Sequence, residues 1–189
     1  KLRAKYQSIF AKTSGSVAAP TASLHFTSRV FKKLEHKGVK NAHVTLHVGM
    51  GTFAPISEDQ IKAKKLFLEY YEVSSATKRT LIDAKKGKRP IVAVGTTCVR
   101  TLESAAERLF DKDENLIADS TEIFIMPPHE FKVIDQLITN FHVPNSSLMM
   151  LVEAFLQHKR ARRNLVALYE VAKKERFMFY SFGDAMLIL

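Results

Sequence analysis

The segment Ile91-Val92-Ala93-Val94 constrains the fold more than any other. It is an unbroken apolar run, too short for a helix, and it flows straight into Gly95-Thr96-Thr97. A helical repeat follows, with Val99, Leu102 and Leu109 on one side. Such a run reads as a strand buried on both faces, the signature of a parallel sheet covered by helices. The neighbouring segments alternate in the same way. Residues 43–48 predict a strand, because Val44, Leu46 and Val48 alternate with His43, Thr45 and His47. Residues 67–73 predict another, and 75–86 a helix stopped by Gly87 and Pro90. A helix is expected from Thr27-Ser28 to Gly38, and a short one opens on the capping-box spacing Ser57 to Gln60. Residues 111–119 read as a polar loop, 123–125 as a strand ended by Pro127-Pro128, and 137–143 as a strand. After Pro144 come an apolar helix, a basic helix over 160–175 and a tail with short apolar segments. The expected fold is α/β, with a mostly parallel sheet and flanking helices in one catalytic-type domain over residues 1–189. Such sheets seat ligands at the carboxyl ends of their strands.

Charge narrows the partners. Lys and Arg number 29 against 19 Asp and Glu, a formal net charge of +10, which favours a polyanion such as RNA. No run of about 18 apolar residues is present, so no membrane contact is expected. The first residues, Lys1-Leu2-Arg3-Ala4-Lys5, do not read as a signal peptide. The single Cys98 allows neither an internal disulfide nor, alone, a zinc site, so a reducing cytoplasm is the expected compartment. A monomer is expected, with no metal.

Polar residues gather at the ends of the predicted strands. His47 and Thr45 share one face of a strand that runs into Gly49-Met50-Gly51-Thr52, where glycine permits positive φ or close approach of a ligand. A core histidine before an ordinary turn is the competing reading. Gly95-Thr96-Thr97 at a helix start can hold an anion or a ribose, with Arg100 one turn in as a carboxylate partner. Alternatively the threonines only cap the helix and Arg100 pairs with Glu103. Asn140 and His142 lie two apart before a helix, a pairing suited to proton transfer beside carbonyl or hydroxyl recognition. The small residues around Pro20 suggest close packing on a flat ligand or surface, with His25 either a site residue or a helix-entry hydrogen bonder. Lys159, Arg160, Arg162, Arg163, Lys173, Lys174 and Arg176 form a basic set that either contacts phosphate or is a solvated face.

These segments together resemble the queuosine-biosynthesis S-adenosylmethionine:tRNA ribosyltransferase-isomerase family. The resemblance is carried by Tyr6 to Lys12, Gly15 to Thr27, Thr45 to Phe53, Gly95 to Glu103, Leu137 to Pro144 and Tyr180 to Ile188, in the family's order. It implies ribosyl transfer from S-adenosylmethionine, a consumed substrate rather than a cofactor, to tRNA carrying 7-aminomethyl-7-deazaguanine. The products would be epoxyqueuosine-tRNA, adenine and methionine. On this resemblance His142 or His47 is the expected base, with Glu69 next. Thr96, Thr97 and Arg100 would take the methionine carboxylate or ribose, and Asp184 would orient the amine or sulfonium. His25, Gly49, Gly51, Thr52 and Asn140 complete the expected substrate-binding set. The family also carries an N-terminal segment and a β-barrel ahead of the Tyr6 block, and that barrel is expected to be absent here. The chain departs from the pattern at Lys64 to Glu72, which keeps Glu69 but no histidine, and at Met126 and Asn145. The alternative is a catalytically silent, basic RNA-binding domain or an inactive fragment; binding of S-adenosylmethionine discriminates the two.

Overall fold

The computed structural model describes residues 6–9, 11, 13–49, 56–111 and 115–189. A 3-10 turn over Thr21–His25 precedes helix α1 (Ser28–His36), strand β1 (Val44–His47) and the short helix α2 (Glu58–Ala63). Strand β2 (Lys65–Val73), helix α3 (Ser75–Lys86), strand β3 (Val92–Val94) and helix α4 (Thr96–Ser104) follow. Then come α5 (Ala106–Leu109), β4 (Ile117–Ile123), β5 (Gln136–Asn140), α6 (Ser147–His158), α7 (Leu165–Lys174) and β6 (Ala185–Ile188).

The helix starts follow from their caps. Thr27, Ser57, Ser74, Ser146 and Asn164 each accept a first-turn N–H, and Ser57 with Gln60 completes a capping box. The basic helix expected from residue 160 begins instead at Leu165. Arg160 sits at φ +53, ending the previous helix, and Asn164 caps the new one.

The α/β class with flanking helices holds; the mostly parallel sheet does not. Among the described residues two three-stranded sheets form, in the orders β1-β2-β4 and β3-β5-β6. Among their pairings only β3 with β5 is parallel. The reason lies in the strands themselves. In β2, Tyr71 and Val73 face inward while Tyr70 and Glu72 face out, the alternation of an antiparallel sheet with one wet face. Around β3, Ile91 and Ala93 are buried on one face while Val92 on the other is 42% exposed, so this sheet also leaves one face open. β4 also starts earlier than the sequence suggests. Ile117 and Thr121 point into the core; Asp119 shares their face, opposite Tyr71, but is exposed and accepts from Arg108, while Ala118 and Glu122 lie on the other, more open face, and these polar residues disguised the strand as loop.

Helix α4 joins the two sheets, touching β1, β2 and β4 of one and β3 of the other. Val99, Leu102, Leu109, Ile117, Leu137 and Phe155 belong to one continuous core, each with at most 5% exposure. Burying a side chain of this size contributes about 1.5–3 kcal/mol. The result is a short parallel pair, β3 and β5, whose carboxyl ends open beside the N-terminus of α4. Among the described residues no helix is long and apolar enough to cross a membrane.

Candidate functional site

A cleft of about 480 Å³ opens at those strand ends. Four segments line it: Ala18 to Ala22, Gly95 to Thr97 with Arg100, Thr139 to Leu148, and Tyr180-Ser181; Tyr6 and Val48 complete the wall. The first is the run of small residues around Pro20, whose short side chains leave room beside the backbone.

Gly95 makes the turn from strand to helix. Its φ of +91° and ψ of 150° suit only glycine, and its N–H donates to Ile138 O at 2.8 Å, tying the turn to β5. No side chain caps α4, so its first turn opens on the cleft with the positive end of the helix dipole.

Arg100 is 4% exposed. Its Nη1 lies 2.5 Å from Glu69 Oε2, and Glu69 Oε1 accepts the Gly49 N–H at 3.3 Å. Arg100 Nε and Nη2 are buried without a hydrogen-bond partner among the described residues. Burial lowers the Arg100 pKa and the Glu69 carboxylate opposes the drop. A guanidinium stays charged in proteins, so an ion-paired cation with two unpaired, solvent-inaccessible donors lies in the cleft wall. Glu103, the competing partner, is occupied elsewhere: its carboxylate accepts the N–H groups of Lys132, Val133 and Ile134.

His142 is held on two sides. Its ring Nε2 is 2.8 Å from Thr139 Oγ1, and its backbone N–H donates to Tyr169 Oη at 2.7 Å. Burial pushes its pKa down to about 4, so the ring is neutral near pH 7. Asn140, 2% exposed, spends its amide on the fold: Oδ1 accepts from Thr21 Oγ1 at 2.9 Å and Nδ2 donates to Asp184 O at 3.3 Å. Burial raises the Cys98 thiol to about 11, which removes it as a nucleophile at neutral pH. Among the described residues no three His, Cys, Asp or Glu side chains converge to hold a metal.

The structure therefore brings Thr96, Thr97, Arg100, Asn140 and His142 to one cleft, with Glu69 behind Arg100. It does not bring His47, His25, Asp184 or Gly49 there. His47 belongs to β1, whose next residue, Val48, lines the cleft; the alternation of a strand turns His47 to the other face, against Gly15. His25 is exposed at the end of the 3-10 turn. Asp184 Oδ2 accepts the Met178 N–H at 2.7 Å, so its carboxylate closes a turn. Gly49 has no positive φ, a Cβ there would meet no atom of the described residues within 4 Å, and it contributes its N–H to Glu69. Gly51 and Thr52 lie outside the described residues.

Sequence reasoning passed over Thr139, Tyr169 and Thr21. Period two places Thr139 opposite His142, but β5 ends at Asn140 and the chain turns His142 back onto it. Tyr169 reaches His142 across 27 residues, and no local pattern marks such a partner.

Comparison with known proteins shows the family. The sequence profile described as "Queuosine biosynthesis protein" matches residues 2–188. An S-adenosylmethionine:tRNA ribosyltransferase-isomerase from Thermotoga maritima is 49% identical over 98% of this chain and 53% of its own length. The protein of the same name from Treponema denticola is 48% identical over 98% of this chain and 52% of its own. The crystal structure of an S-adenosylmethionine tRNA ribosyltransferase from Thermotoga maritima superposes with a TM-score of 0.71 at 42% identity, covering 89% of this chain and 51% of that one. The chain spans about half the length of the curated relatives it matches. With the profile match running almost from end to end, the chain belongs to the queuosine biosynthesis protein family.

Proposed function

We propose that this chain forms the S-adenosylmethionine-binding core of an enzyme that transfers and isomerises a ribosyl group onto 7-aminomethyl-7-deazaguanine in tRNA. The carrying observation is Arg100, buried in the cleft wall with two unpaired donors beside an uncapped helix start. A ligand carboxylate satisfies such a guanidinium with two parallel hydrogen bonds. The methionine carboxylate of S-adenosylmethionine is that ligand, and Thr96 and Thr97 hold it or the adjoining ribose. Glu69 positions Arg100 and does not itself line the cleft.

The sulfonium acidifies the adjacent C5′ proton. His142, neutral and on the cleft wall, accepts it. The sugar opens as adenine leaves, the substrate amine attacks, and closure of the epoxide expels methionine. A pKa near 4 makes His142 a weak base, so its contribution depends on the acidified C–H and close placement.

Adenine release from S-adenosylmethionine in the presence of precursor tRNA tests the reading. His142→Gln should lower kcat by about 100- to 10,000-fold. Full turnover by that variant would remove the base assignment. Loss of S-adenosylmethionine binding in Arg100→Met is expected by calorimetry; unchanged affinity would remove the carboxylate assignment.

A further inference from the structure

Beside the cleft lies a rigid turn, residues 178–184, that presents large side chains to solvent. Met178, Tyr180 and Phe182 are 62%, 54% and 57% exposed. Between them Phe179 packs inward on Phe141 and Tyr169, with ring centroids 4.8 and 5.3 Å apart.

The turn is held from several directions. The Asp184 N–H donates to Met178 O, and the Met178 N–H donates to Asp184 Oδ2, both at 2.7 Å. The Tyr180 N–H donates to Phe141 O at 2.9 Å. A Cβ on Gly183 would collide with the backbone of Met178 and Phe179, so only glycine lets the chain close here. Tyr180 sits at φ +72°, a costly conformation for a tyrosine, and it persists because these bonds dictate it. Local strain and a tight glycine thus hold Tyr180 and Phe182 at the surface, where the Phe182 ring also meets the Tyr6 ring edge-on at 5.4 Å.

The surroundings are cationic. Lys174 and Arg176 stand just ahead of the turn, exposed, and form no ion pair among the described residues; Lys173 pairs with Glu170. Tyr180 and Ser181 line the cleft, so the turn and the cleft are continuous.

We propose that this turn is a stacking platform for single-stranded RNA at the cleft mouth. Tyr180 and Phe182 stack on unpaired bases, while Lys174 and Arg176 meet the adjoining phosphates. Rigid exposed aromatics beside cations are how proteins hold unpaired nucleotides. The proposal rests on the function proposed above: chemistry on a tRNA base draws it out of its stack, and its neighbours then need another surface.

The test uses the 189-residue chain and a short single-stranded RNA carrying 2-aminopurine. The chain has no tryptophan, so that emission can be followed selectively. Binding should quench it. Replacing both Tyr180 and Phe182 with alanine should weaken binding about tenfold or more, while Tyr180→Phe should bind as the parent does. Lys174→Ala with Arg176→Ala, which leaves the turn untouched, should lower the salt slope of log K by about 1.4. Binding without a change in emission overturns the proposal, as does parental affinity in the double aromatic variant. Self-association of the chain that the aromatic variant abolishes, with no RNA bound, overturns it in favour of a protein contact. Calorimetry of S-adenosylmethionine with the unmodified chain is read separately. Failure there sinks the proposed function, while RNA stacking that survives shows that the platform stands without it.

Discussion

At the residue scale, the ion pair between Glu69 and Arg100 is the most consequential feature. Both side chains are almost fully buried, so each depends on the other. Glu69→Gln keeps the shape but strands the guanidinium charge. It should cost about 3–5 kcal/mol in urea unfolding. Replacing both residues with apolar ones of similar volume should recover part of that loss, which a double-mutant cycle measures. His142 gives a pH dependence whose sign is fixed. Its folded pKa, near 4, lies below the ordinary 6.5, so the unfolded chain binds more protons between those values. Stability from this group is complete above about pH 6.5 and is lost as pH falls toward 4, by up to about 3 kcal/mol. Unfolding at pH 4.5 and 7.5 should therefore show a smaller difference for His142→Gln than for the parent. An equal difference would place the titration elsewhere.

At the scale of elements, helix α4 carries both the fold and the cleft. Its start depends on Gly95, whose backbone angles lie in a region that L-residues avoid. Gly95→Ala should destabilise the protein by about 1–3 kcal/mol and weaken S-adenosylmethionine binding, because it displaces Thr96 and Thr97. A melting temperature and an affinity both equal to the parent's would contradict this. Helix α3 shows how well caps mark elements. Ser74 accepts from Thr77 and Gly87 follows the last turn, and the helix spans the residues its pattern predicts. Strand β4 shows where such signals stop, since its identity lies in pairing with β2, some 50 residues away.

At the scale of the whole molecule, the net charge of +10 predicts electrostatic attraction for RNA. Affinity for tRNA should fall steeply as salt is raised, with each neutralised phosphate adding about 0.7–0.9 to the slope of log K against log salt. A flat dependence would mean that the surplus charge serves another purpose. The basic residues divide between the loop after α6, with Lys159, Arg160, Arg162 and Arg163, and the end of α7. Charge reversal at Lys174 and Arg176 should lower tRNA affinity more than reversal at Arg162 and Arg163, because the former adjoin the turn that reaches the cleft.

The sequence by itself determined whatever depends on neighbours within a turn or two. The caps, the starts of the helices at Ser28, Glu58, Ser75 and Ser147, the strand positions of β1 and β2, and the Gly95-Thr96-Thr97 junction are written in local residue order. So are the family blocks, because they lie in short runs. Tertiary structure alone decided which blocks meet. Strand direction follows from how each face is covered, so alternating strands and helices did not reveal that only one pair is parallel. The partner of Arg100 could not be read from helix spacing, because Glu69 comes from another strand while the nearer Glu103 binds backbone. Nor could the division between His142, which faces the cleft, and His47, which faces away. That choice was made by the end of β5 at Asn140 and by the packing of Gly15, and both depend on contacts between segments distant in the chain.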